Sequence, residues 1–293
     1  MERLSAFRSY WLVWLLLSPQ LLLVGVFFFW PAGQALVQSF QQQDAFGASV
    51  TWVGLENFWA LWRDTSYLGS VQITFIFASL VTGSSLFCGL LLAIFTERVA
   101  FGSKFYQAVL LVPYAIAPVV SGVLWTFMFA TPNGVISHWL ATIGLNWNHL
   151  LSGRDAMILT VTAAAWKQTP YNFVFFLAGL HAIPKSLIEA SEMDGAGPWR
   201  RFWTIQLPLL TPTAFFLLVI NIVYSFFETF AVIDATTQGG PGRDTSTLVY
   251  RAYIDGFQGM DFGSSAAQSV VLMAMVVALT VIQFKFLEKK VIY

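Results

Sequence analysis

Residues 183–208 read IPKSLIEASEMDGAGPWRRFWTIQLP, and the rest of the chain is organised around this stretch. Pro184 suits the first turn of a helix, where its missing N–H costs nothing. Ile183, Leu187 and Ala190 follow one helical stripe, with Ile188 and Ser191 beside it. Gly195 suits the left-handed residue that ends a helix. Gly197-Pro198 restarts the chain, and a second short helix is expected from about Trp199 to Pro208. The segment reads as an ordered helix–turn–helix rather than a floppy tether.

Long apolar runs lie on both sides of it. A helix needs roughly 20 apolar residues to cross about 30 Å of hydrocarbon. Six runs qualify, at roughly 11–36, 71–95, 106–130, 157–182, 208–233 and 264–287. The first resembles a signal peptide only superficially. Its apolar core is too long and no A-x-A site follows, so it reads as a retained anchor. The fourth is the weakest, with Lys167-Gln168-Thr169-Pro170-Tyr171-Asn172 in its middle. Loop charges support counting it. With six spans, ten Lys and Arg fall on the side of the two tails and the 183–207 loop, and four fall on the other. The excess of positive charge marks the cytoplasmic side, so both termini are expected there. Pro19, Pro113, Pro118 and Pro170 are tolerable inside spans, because neighbouring helices satisfy the freed carbonyls.

Composition agrees with this count. Of 293 residues, 57% are hydrophobic and only 10% are charged, against about 25% charged in soluble domains. Formal net charge is zero, so no global field invites nucleic acid. The one cysteine, Cys88, cannot form an internal disulfide and reads as a small packing residue. There is no G-x-x-x-x-G-K-[ST], no H-E-x-x-H and no C-x-x-C. His138, His149 and His181 are isolated, and no catalytic or metal site is expected. The expectation is an all-α polytopic membrane protein, one transmembrane domain over residues 1–293, with no enzymatic activity of its own.

The spacing E-A-S-x3-G-x9-I-x-L-P resembles the EAA motif of ABC-importer permeases. It comprises Glu189, Ala190, Ser191, Gly195, Ile205, Leu207 and Pro208, with Asp194 before the glycine. Ser191 replaces the family's usual alanine. The resemblance implies a MetI-like permease fold. It also implies that the first short helix couples to a separate ATPase, so that ATP and Mg belong to that partner and this chain binds no cofactor. A second permease, a homodimeric ATPase and a periplasmic substrate-binding protein are the implied partners, in a bacterial inner membrane. Residues 53–58 (VGLENF) and Gly239-Gly240-Pro241 are similar to the sugar-permease branch as a whole. The runs at 28–33, 166–168, 171–173, 194–198 and 264–273 resemble its sn-glycerol-3-phosphate importers. A neutral sugar is the alternative solute, and an ion-coupled secondary transporter the remote alternative.

An ionisable residue at mid-membrane costs about 2.5–3.5 kcal/mol on insertion scales, so it should face a cavity or a partner. Lys167 and Tyr171 are four apart, as are Gln168 and Asn172. Asn221, Tyr224, Ser225 and Glu228 fall at i, i+3, i+4 and i+7, on one helical face. These two stripes are expected to line the translocation path. In one reading Lys167 meets a phosphate while Tyr171, Asn172, Asn221 and Tyr224 bind hydroxyls. In the other, Lys167 pairs with Glu228, or the polar groups bridge helices. A turn-rich loop from Gln238 to Asp244 precedes an expected surface helix from Thr247 to Phe257. The resemblance implies that this region touches the binding protein, and a plain connector is the alternative.

Overall fold

The structure, a computed structural model, describes residues 10–44, 49–97 and 102–286. The expectations for both termini concern residues 1–9 and 287–293, which lie outside the described residues, as does Arg98. The chain divides into two compact units, residues 1–63 with 252–271 and residues 64–251 with 272–293.

The first unit opens with α1 (Tyr10–Val24), which continues through a π-helical turn at Gly25–Phe29 into α2 (Trp30–Gln38). Pro19 is carried inside it. The stretch Val13–Gln38 is long and apolar enough to cross a bilayer, and none of its residues is buried within this chain. A two-stranded antiparallel hairpin follows, β1 (Gln41–Gln43) with β2 (Val50–Trp52). It is a small addition to an otherwise helical fold, as expected. The Asn57 amide, on α3 (Glu56–Arg63), secures it by donating to the Ser39 and Gln41 carbonyls at 3.0 and 2.9 Å.

The second unit is built on α4 (Thr65–Glu97). Asp64 caps it, its Oδ1 accepting the Ser66 N–H at 2.8 Å. Along α4 the buried residues include Ser70, Thr74, Ala78, Thr82, Ser85, Gly89, Ala93 and Thr96, recurring every three or four positions. A helix edge of small residues lets another backbone approach closely, which is how helices associate where lipid removes the hydrophobic drive. The partner is α8 (Gly153–Ala182), the longest neighbour of α4. Cys88, expected as a packing residue, is exposed on α4 instead.

The third apolar run is not one continuous helix. It breaks into α5 (Ser103–Ala115) and α6 (Pro118–Phe129), which meet at 99°. Ile116 and Ala117 are extended between them. The reason is Pro118, which lacks the N–H that would continue α5 and which disfavours a helical residue before it. A short α7 (Val135–Thr142) follows, then a loop to α8. Among the described residues four single stretches are long and apolar enough to span, and six if each bent helix pair counts as one.

The loop before α8 holds His149, which is 5% exposed, with Nδ1 buried and unbonded. Burial pushes its pKa below the usual 6.5, against the opposing pull of Asp155. The neutral ring is therefore favoured in the folded state. Its contribution is intact above 6.5 and is lost as pH falls through the lowered folded value. The thermal midpoint of the purified assembly is expected to drop between pH 7.5 and 5.5. His149→Gln should flatten that dependence, and an unchanged slope would refute the assignment.

Candidate functional site

The 183–208 segment folds as its residues dictate. α8 ends at Ala182, and α9 (Lys185–Met193) leaves it at 67°. Gly195 sits at φ +75°, the left-handed region. The Ala196 N–H donates to the Ser191 carbonyl and the Gly195 N–H to the Glu192 carbonyl, both at 2.9 Å. That pair of bonds is a Schellman ending, and it satisfies carbonyls that α9 would otherwise leave open. Pro198 restarts the chain in α10 (Pro198–Arg201). A π-helical turn at Phe202–Gln206 leads into α11 (Leu207–Leu209), so the second limb is helical as expected.

The inward face of α9 differs from the expected stripe. Ser191 is buried and Ile188 half-buried, whereas Leu187 and Ala190 point out. Ser191 Oγ donates back to the Ile188 carbonyl at 2.7 Å. Arg201 and Glu192 form an ion pair that ties the two limbs together. Glu189, Asp194 and Gly195 are exposed, and Ile205, Leu207 and Pro208 are half-buried. Leu187, Met193, Trp199 and Trp203 are also exposed, so the loop presents large apolar groups outward. A cavity of about 510 Å³ lies on its other side, between Glu97, Leu180, Ile183, Ile188, Glu189 and Gln206.

Behind the loop lies a core of Ala93, Phe173, Phe176, Leu177, Leu180, Ile183, Leu210 and Leu217. It joins the end of α8 to the start of α12 (Thr211–Val223). Gly179 permits this approach, since a Cβ there would lie 2.8 Å from the Leu210 side chain. α9, α8 and α12 therefore share one packed core, with Ile188 seated against it. α8 extends from the loop to Lys167, about 22 Å along the axis at 1.5 Å per residue.

The two polar stripes meet, and different members do different things. Asn172 and Asn221 are wholly buried and exchange amide hydrogen bonds at 3.1 and 2.7 Å. Ser85 Oγ adds a bond to Asn221 Oδ1 at 2.9 Å, and Asn221 also donates to the Leu217 carbonyl at 2.7 Å. Three helices, α4, α8 and α12, are thus joined at one polar point, the helix-bridging arrangement. The Tyr224 hydroxyl is buried and donates to the Ala164 carbonyl at 3.3 Å. Tyr224 opens a π-helical turn, Tyr224–Glu228, before α13 (Phe230–Thr236). Glu228, at its end, is exposed.

Lys167 and Tyr171 are half-buried. Among the described residues the ammonium of Lys167 contacts no carboxylate, Glu228 included. It donates to the Tyr114 carbonyl at 3.2 Å and lies 5.3 Å from the centre of the Tyr114 ring. That ring faces Tyr171, with centroids 5.9 Å apart. Sequence reasoning missed Tyr114 and Ser85. A signal for Tyr114 was present, because Pro118 lies four residues on.

Elsewhere the loop from Gln238 to Asp244 leads to α14 (Leu248–Tyr253) and a π-helical turn at Ile254–Gln258, so the expected helix forms. It is not a surface helix, because Thr247, Leu248, Tyr250 and Ala252 are buried. Arg251 pairs with Asp64. The last helix, α15 (Phe262–Phe286), corresponds to the sixth run.

Comparison with known proteins agrees with this architecture. Residues 85–293 match the family described as binding-protein-dependent transport system inner membrane component. The chain is 54% identical over 287 residues to the sn-glycerol-3-phosphate transport system permease protein UgpA of Yersinia enterocolitica, covering 98% of this chain and 97% of that one. It is 55% identical over 282 residues to UgpA of Agrobacterium fabrum, covering 96% of each. Among solved structures, a bacterial alginate ABC transporter in complex with an alginate pentasaccharide-bound periplasmic protein has a chain of the same fold. The TM-score is 0.80 at 22% identity, covering 96% of each chain. The ordered loop, the spans and these likenesses give one result: the chain belongs to the inner-membrane components of binding-protein-dependent transport systems and is a multi-pass ABC-importer permease.

Proposed function

We propose that this chain is the permease subunit that carries sn-glycerol-3-phosphate across the inner membrane by alternating access. The observation that carries the reading is likeness over nearly the whole length to sn-glycerol-3-phosphate permeases, at 54% identity. Lys167 supports it, as a half-buried ammonium with no carboxylate contact among the described residues. Lys167, Tyr171 and Glu228 are the path residues not buried within this chain, and Asn172, Asn221 and Tyr224 hold the frame around them.

A second permease completes the pathway, a periplasmic binding protein delivers the solute, and a homodimeric ATPase docks on α9. ATP and Mg are held by that ATPase. Nucleotide reorients the spans only through its differential affinity for the two states. The docking force enters at Glu189, Ala190 and Gly195 and passes through the Leu180–Ile183–Leu210 core to the frame.

The test is uptake of labelled glycerol-3-phosphate by cells carrying the intact operon, against the same cells with Glu189→Lys in this chain. Uptake that requires Glu189, resists unlabelled maltose and occurs at equal membrane level is the expected result. Absence of uptake in both strains would refute the substrate and point to a neutral sugar. Uptake indifferent to Glu189→Lys would refute the coupling.

A further inference from the structure

The break between α5 and α6 and the placement of Lys167 are one feature. In an unbroken helix residue 118 donates its N–H to the carbonyl of residue 114. Pro118 has no N–H to give. The Tyr114 carbonyl is therefore left open at the C-terminal end of α5, where the helix dipole is negative. Lys167 Nζ reaches across from α8 and donates to it at 3.2 Å. The Tyr114 ring holds the same ammonium from a second side, 5.3 Å from the ring centre.

The chemistry of this tether matters. An ammonium has three donors, and the carbonyl takes one of them. A neutral carbonyl and an aromatic face hold the cation without cancelling its charge, and the Glu228 carboxylate acts on it only from beyond contact distance. A carboxylate in the same place would fix it and neutralise it. The outcome is a half-buried, immobilised positive charge with donors to spare beside Tyr171.

We propose that Pro118, through the Tyr114 carbonyl it frees, is the positioning residue for Lys167, and that the cation so held selects a phosphate-bearing solute. The proposal deepens the glycerol-3-phosphate reading and rests on it for the identity of the solute. Pro118→Ala restores the N–H and removes the bar to a helical Ile116–Ala117, so that α5 can run on, give the Tyr114 carbonyl a helical partner and release Lys167.

Two measurements test it on the assembled transporter reconstituted with its binding protein. The first needs no solute. Competitive acetylation of the Lys167 amine, read by mass spectrometry, is expected to speed up about 2- to 10-fold in Pro118→Ala, the range of one net hydrogen bond. Unchanged reactivity overturns the tether. The second is a double-variant cycle on glycerol-3-phosphate transport at saturating loaded binding protein. Pro118→Ala and Lys167→Met each slow transport, and the double variant is no slower than Lys167→Met alone. Losses that multiply overturn the proposal, because they show Pro118 acting independently of Lys167. Full transport by Lys167→Met overturns it too. Lys167→Arg keeps the charge and should retain part of the rate, which separates loss of the cation from a folding defect. If the parent carries no glycerol-3-phosphate, the substrate reading falls, while acetylation still decides whether Pro118 positions Lys167.

Discussion

Gly195→Val is expected to lower solute uptake about 5- to 30-fold at unchanged membrane level, the factor that one or two kcal/mol makes in a conformational equilibrium. Gly195 holds φ +75° with nothing within 4 Å of where a Cβ would lie. The penalty is therefore conformational rather than steric. An L-residue in the left-handed region costs about 1–2 kcal/mol, and a β-branched one is worse placed there. α9 cannot absorb the loss easily. It has nine residues, and its one buried side chain is Ser191. A helix that short is marginal in water without its caps. Once the Schellman bonds go, the face that carries Glu189 and Ala190 loses its fixed aim. Two controls isolate the cause. Asn tolerates the left-handed region, so Gly195→Asn should keep most of the uptake. Gly197 sits at φ −64° with open space around it, so Gly197→Ala should be silent. Equal loss in all three variants would show that the loop is sensitive to any change, and the conformational account would fail.

The same loop shows what a one-dimensional reading can reach. Pro184, Gly195 and Pro198 act within a few residues of themselves, so their spacing was enough to place α9 and its ending. The inward face of α9 was not legible, because Leu187 and Ile188 are equally apolar. Packing against the ends of α8 and α12 chooses between them, and those ends are far away in sequence. The spans were legible from hydropathy for a related reason, since the bilayer imposes one length on each. The right-angled break at Ile116–Ala117 was not, although Pro118 marked its place, because a proline alone does not say whether a helix kinks or parts. Of the hairpin strands, Gln41–Gln43 has no apolar alternation and Val50–Trp52 alternates over only three residues, too short to signal a strand. Periodicity put Asn172 and Asn221 in the two polar stripes. It could not show that they would face each other and leave Lys167 to the Tyr114 carbonyl.

Gly89→Val should remove most of the assembled protein from the membrane, and Gly89→Ala should lower its thermal midpoint. A Cβ at Gly89 would lie 2.6 Å from Asn172 Cβ, 3.0 Å from the Phe173 nitrogen and 3.1 Å from the Asn172 carbonyl carbon. Two of these atoms are backbone in the interior of α8, so no rotamer change relieves the clash. The helices must separate. Overpacking of this kind costs about 1–3 kcal/mol for small increments. Here the cost spreads, because Ser85 lies one turn away on the same edge of α4 and bonds Asn221. Moving α4 off α8 strains the Ser85–Asn221–Asn172 cluster, and each buried amide left without a partner costs about 1–3 kcal/mol more. Gly83 is the internal control. It lies on α4 with nothing within 4 Å, so Gly83→Ala should insert and transport normally. Membrane level by immunoblot and thermal midpoint in detergent are the readouts. A Gly89→Val protein present at full level and stability would mean that α4 and α8 are not locked along this edge. The frame that holds Lys167 opposite Tyr114 would then have to be sought elsewhere.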